Sequence, residues 1–153
     1  MTAARVEPWT ARQAAEPQCV VHAGTDPTTL LDALATALRA AGFRIVAAEG
    51  GFDATRGISG GYLLSEIAQL PLMTALARVA LEVRVLPPDG AGTAVSVTCT
   101  AGAGELGAAK RVARALGDAR EALVRRGVAV DVGVWLALWQ RGAEDAAEPD
   151  QEA

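Results

Sequence analysis

The sequence predicts an α+β domain: a mostly antiparallel sheet with two amphipathic helices packed on one face, in the order β-α-β-β-β-β-α, with a C-terminal strand as an added element. The first observation behind this is a pair of alternating runs between Ala77 and Thr100. Val79, Leu81, Val83 and Val85 alternate with Ala80, Glu82, Arg84 and Leu86. After the turn Pro87-Pro88-Asp89-Gly90-Ala91-Gly92, Val95, Val97 and Cys99 alternate with Ala94, Ser96, Thr98 and Thr100. Period-two alternation around a Pro/Gly turn predicts an antiparallel hairpin with one dry face and one wetter face. The second and third observations are two stretches with apolar residues at helical spacing, one before the hairpin and one after it.

Taken in chain order, Cys19-Val20-Val21-His22-Ala23 reads as a short strand. Asp26 is then an N-cap and Pro27 a first helical residue, because a short acidic side chain can accept from the free amides of a first turn and proline lacks the amide that would go unused there. The helix is expected from Pro27 to about Ala41, with Leu30, Leu31, Leu34, Ala37, Leu38 and Ala41 on its apolar stripe and Gly42 as its stop. Phe43, Ile45 and Ala47 next alternate with Arg44 and Val46, and Glu49-Gly50-Gly51 turns the chain into Phe52 to Arg56, a second hairpin. Residues 57–76 read as a flap or connector over the sheet. Leu63, Leu64, Ile67 and Leu70 fit helical spacing slightly better than alternation, and Pro71 limits such a helix to about two turns. The longest helix is expected from Glu105 to Arg126, with Leu106, Ala109, Val112, Ala113, Leu116, Ala119 and Leu123 inward and Gly127 closing it. From Val128 to Trp139 alternation favours a strand, although Val132, Trp135, Leu136 and Trp139 also match helical spacing.

A chain of 153 residues with 51% hydrophobic residues can form one domain with a sizeable core. The expected organisation is a disordered arm over residues 1–18, one α+β domain over 19–141, and a disordered acidic tail over 142–153 carrying Glu144, Asp145, Glu148, Asp150 and Glu152. The formal charge is −4 and aromatics make up 4% of the chain, so the basic stripe and stacking platform of a nucleic-acid binder are lacking. The chain has no run of apolar residues long enough to span a membrane and no secretory h-region near Met1. Cys19 and Cys99 sit inside apolar runs, as reduced buried thiols do, which predicts a cytoplasmic protein. Lys110 is the only lysine among the 14 basic residues, and alanine is abundant, which predicts a bacterial source.

Each chemistry-bearing residue has a plainer reading beside it. His22 is the only histidine. With Cys19 and Cys99 it could form a nucleophilic pair or a metal site, but strand periodicity puts His22 and Cys19 on opposite faces, so no metal site is expected. The segments Gly57-Ile58-Ser59-Gly60-Gly61 and Gly102-Ala103-Gly104 lack the lysine and hydroxyl of a phosphate loop and read as turns. Asp53, Glu66 and Glu82 fall on different elements and give no acid/base pair. Lys110, Arg111, Arg114, Arg120, Arg125 and Arg126 read as a solvated helix face laced with ion pairs such as Glu121 with Arg125. Trp135 and Trp139, with Val132 and Leu136, would make the last strand apolar on both faces, which demands a cover: core packing under a helix layer is the plainer reading, and a second subunit, a protein partner, or a ligand or membrane surface is the functional one.

The run from Val20 through His22 and Asp26 to Pro27, leading into Leu30, Leu31 and Leu34, together with Gly92 to Thr98 leading to the helix at Glu105, resembles the helix-grip superfamily of START and Bet v1-like domains. The resemblance implies an apolar cavity between a curved sheet and a long helix, used for hydrophobic ligands. A ferredoxin-like or other two-layer sandwich is the alternative. On the helix-grip reading Val83, Val97, Leu116 and Leu123 line the cavity and Leu63, Ile67 and Leu70 form its lid. The expected function is non-enzymatic binding of a hydrophobic small molecule or a protein partner, without a cofactor. The enzymatic alternative is a cyclase or hydrolase using His22, Tyr62 or Glu66 for proton transfer, and the third is assembly into a homo-oligomer through the last apolar segment.

Overall fold

The structure, a computed structural model, describes residues 5–57, 78–88, 90 and 92–147. It is an α+β fold: a six-stranded antiparallel sheet with two main helices packed against it, and the sheet is not a closed barrel. The strands are β1 (Gln18–Ala23), β2 (Arg44–Ala48), β3 (Gly51–Arg56), β4 (Val79–Val85), β5 (Thr93–Ala101) and β6 (Val130–Val132). The helices are α1 (Pro27–Ala40), α2 (Ala108–Arg125) and α3 (Leu138–Ala147), and the order across the sheet is β2-β3-β4-β5-β1-β6.

The alternating hairpin forms as its pattern requires. Val83 pairs with Val97 and Val85 with Val95, and a bulge between Ala80 and Leu81 shifts the register by one at the open end. Val79, Leu81, Val83, Val95, Val97 and Cys99 all face the core. Asp26 caps α1: its carboxylate accepts from the Thr29 backbone amide at 3.0 Å and from the Thr29 hydroxyl at 2.7 Å. These bonds hold the Asp26 carboxyl below the usual 3.8. Both main helices end in the same way. Gly42 and Gly127 take positive φ, and the next residue's amide reaches back to the helix, Phe43 to the Leu38 carbonyl and Val128 to the Leu123 carbonyl, each at 3.0 Å.

Leu30, Leu34 and Leu38 from α1 and Val112, Leu116 and Leu123 from α2 meet the inner face of the sheet, each at most 2% exposed. Each such side chain contributes about 1.5–3 kcal/mol by leaving water, the main force holding helices to sheet. The central strand β5 is buried on both faces, and its polar side chains are satisfied: Thr98 accepts from the Gln18 amide at 2.7 Å, and Thr93 donates to the Thr25 carbonyl at 2.6 Å.

Two expectations about the ends of the chain are corrected. The N-terminal segment is not an arm outside the domain from residue 5 onward: Val6 and Trp9 are buried in the core. Trp9 packs edge-on to Trp135 with centroids 4.9 Å apart. The Trp9 indole donates to the Ala103 carbonyl at 2.9 Å, and the Trp135 indole to the Glu7 carbonyl at 3.0 Å. Residues 5–17 therefore form a strap that binds the loop before α2 to the C-terminal segment. The second correction concerns residues 128–139, where the strand is limited to Val130–Val132, Leu136 makes an isolated bridge to Gln18, and α3 begins at Leu138. The acidic residues Glu144 and Asp145 belong to that helix rather than to a tail, and 148–153 lie outside the described residues.

Candidate binding surfaces

The residues expected to line a cavity divide in two. Val83, Val97 and Leu123 are 0% exposed and Leu116 is 1% exposed, all in the cluster between the sheet and the helices. Tyr62, Leu63, Glu66, Ile67 and Leu70 lie outside the described residues.

His22 is exposed on β1, opposite Ala94 on β5 and Asp131 on β6, with its side chain on the face away from the helices. Cys19 and Cys99 point the other way into the core, so the strand pleat separates thiols from imidazole as the alternation predicted. Burial pushes the Cys19 thiol up to about 12 and the Cys99 thiol to about 11, so both are protonated and poor nucleophiles at neutral pH. Among the described residues, no cluster of three or more His, Cys, Asp or Glu could hold a metal ion. The carboxylate of Asp53 is occupied by Arg84 at 2.6 Å, and the same guanidinium donates to the Phe52 carbonyl at 2.8 Å. Asp53 and Arg84 thus tie β3 to β4 on the outer face. On α2, Glu121 pairs with Arg125 across one turn as the spacing predicted.

Gly102 acts as a turn. Its φ is +77°, and a Cβ there would fall 1.5 Å from the Arg78 carbonyl oxygen, so only glycine fits where the chain leaves β5. Leu106, expected on the apolar stripe of α2, is 103% exposed because the helix starts two residues later, after the left-handed Gly107. Leu106 instead borders an open groove of about 360 Å³ with Pro8, Trp9, Glu105, Gly107, Ala109 and Lys110. Its lining is mostly apolar and its two charged residues are of opposite sign.

Of the four residues expected to form an interface, Trp135 is 4% exposed and belongs to the core, while Val132 and Leu136 are half-buried. Trp139 alone is open, at 60%. The tryptophans part because the chain stops being a strand between them: Trp135 turns inward to meet Trp9, and Trp139 rides on the first turn of α3. Val134 (77% exposed) and Leu138 (53%) join Trp139, so three large apolar side chains within six residues face solvent. The sequence carried one signal for this arrangement that the alternation obscured, the third tryptophan, Trp9, which covers one side of the segment and leaves the other open.

No family model, curated protein or solved structure matches the chain. Among the described residues, no helix is long and apolar enough to cross a membrane.

Proposed function

We propose that this protein is a non-catalytic binding module that docks a protein partner on the apolar surface presented by Val134, Leu138 and Trp139. The observation that carries the reading is the exposure of these three side chains beside the buried Trp135 and Ala137. Large apolar groups clustered on a surface lose free energy to water, and an exposed tryptophan is the side chain that contributes most when a partner covers it. The two unreactive thiols support a reducing compartment, in keeping with a bacterial cytoplasm. A photocrosslinking residue in place of Trp139 is expected to give one discrete adduct in the producing cell, lost when Val134 and Leu138 are both changed to Asp. Absence of an adduct at 139, or an equal adduct from a crosslinker at exposed Glu121, refutes the docking surface.

A second reading rests on the groove beside Trp9. Its volume of about 360 Å³ falls within the range of small-molecule sites, and Pro8, Trp9, Leu106 and Ala109 suit a hydrophobic ligand, as the helix-grip resemblance also implies. Native mass spectrometry of the purified protein tests this reading: a retained small molecule that disappears in Leu106→Asp supports it, and a mass equal to that of the chain alone counts against it.

A further inference from the structure

The sheet has two edges, and they differ. At β6 the edge is short and carries a charge. Gly24 donates to the Ala129 carbonyl and Gly133 to the Val20 carbonyl, so the alternation turns the backbone of Asp131 toward β1 and leaves Val130 and Val132 facing outward. Two copies meeting there would place Asp131 against Asp131. A short strand bearing a charge at its centre is how sheet edges avoid pairing.

Among the described residues, the edge at β2 has no such protection. Val85 donates to the Gly50 carbonyl, so Gly51 turns its backbone toward β2, and with the register Ala48–Gly51, Val46–Asp53 and Arg44–Thr55 the backbones of Ala48, Val46 and Arg44 face β3. Ile45 and Ala47 therefore point their amides and carbonyls outward, and among the described residues nothing pairs with them. The strand Arg-Ile-Val-Ala-Ala has no proline, bulge or acidic residue, and Val46 is 43% exposed.

We propose that β2 is a self-association edge, where a second copy of this chain pairs antiparallel about a two-fold axis at Val46 and extends the sheet across both molecules. The strand is complementary to itself in this register. Ile45 and the partner's Ala47 form a hydrogen-bonded pair, as do Ala47 and the partner's Ile45, which uses the backbone groups left free. Val46 meets the partner's Val46 at a non-hydrogen-bonded position, where side chains approach most closely. Arg44 faces the partner's Ala48, one residue from the partner's Glu49, so no like charges oppose. A foreign strand would gain the same backbone bonds, but only a second copy is bound to bring this matched set of side chains. Five residues of strand bury less than a standard interface, so the association is transient and concentration-dependent.

Val46→Cys tests the axis directly. Non-hydrogen-bonded pairs hold Cα atoms about 4.5 Å apart, within disulfide reach, so mild oxidation is expected to give a covalent dimer, whereas Glu49→Cys is not. The native thiols are buried and do not compete. Light scattering at rising concentration is expected to show dimers for the wild type and monomers for Val46→Lys and Val46→Glu, with far-UV circular dichroism unchanged. Mixing those two variants is expected to restore a mixed dimer, because each lysine then faces a glutamate. A monomer at every concentration with no Val46→Cys dimer, or a mixture of the charged variants that stays monomeric, overturns the proposal. So does a dimer that survives Val46→Lys.

Discussion

Replacing Trp9 by alanine tests whether the N-terminal strap is part of the folded unit. Trp9 is 5% exposed, it meets Trp135 edge-on at 4.9 Å, and its indole donates to the Ala103 carbonyl at 2.9 Å. Removing a buried tryptophan leaves a cavity and costs about 3–5 kcal/mol. That figure already contains most of the aromatic contact, about 0.5–1.5 kcal/mol in isolation, and the hydrogen bond, about 1 kcal/mol, so the terms do not add. A loss of this size is about a fifth or more of the stability of an ordinary domain, about 5–15 kcal/mol. Urea denaturation followed by circular dichroism is expected to show the midpoint fall with little change in slope, and Tm to drop by about 10 °C. Trp9→Phe keeps the ring and loses the hydrogen bond, so it should cost about 1–2 kcal/mol. If Trp9→Ala costs less than about 1 kcal/mol, the strap does not pack on the domain and the accounting for residues 5–17 is refuted.

The buried thiols give stability a pH dependence at the alkaline end. The Cys19 thiol rises from about 9 in the unfolded chain to about 12 in the fold, so above pH 9 the unfolded chain binds fewer protons and stability falls as pH rises. The slope approaches about 1.4 kcal/mol per pH unit for one such thiol, and denaturation of Cys19→Ala between pH 9 and 11 is expected to be flatter than wild type by that amount. Asp26→Ala is expected to lower thermal stability at neutral pH. The gap to wild type should close as acid titrates the Asp26 carboxyl, since that carboxyl is held low only in the fold. Gly102→Ala, whose Cβ would sit 1.5 Å from the Arg78 oxygen at φ +77°, should cost about 3 kcal/mol or more by urea denaturation. Gly104→Ala, with nothing within 4 Å, should be close to neutral. Acrylamide is expected to quench Trp139 strongly and Trp9 and Trp135 weakly, so Trp139→Phe should remove most of the quenchable fluorescence.

Local patterns were legible, and pairings distant in the chain were not. The hairpin of β4 and β5 and the capped α1 follow from neighbouring residues: alternation sets the dry face, and Asp26, Pro27 and Gly42 mark where a helix can start and stop. Leu106 misled because helical spacing continues smoothly across a glycine that takes a left-handed turn and delays α2. The strap was hidden because Val6 and Trp9 sit among charged residues and alanines, and nothing in their own neighbourhood records that Trp9 packs against Trp135. The same long-range contact explains why Trp135 is buried and Trp139 is not: the two look equivalent along the chain, and Trp135 is the one that meets Trp9. The outward edge of β2 was invisible for a related reason, since the hairpin signal gives pairing within the chain but not which strand ends at the rim.

The place of β1 between β5 and β6 has a consequence for synthesis on the ribosome. Its apolar run is made before either of its neighbours, since β5 and β6 follow β2, β3 and β4 in the chain. Until they arrive, Cys19, Val20 and Val21 have no ladder to join, and α1 can shelter only one side of them. The nascent chain therefore carries β1 without a partner strand until β5 (Thr93–Ala101) has been made, and β1 joins the sheet only from then on.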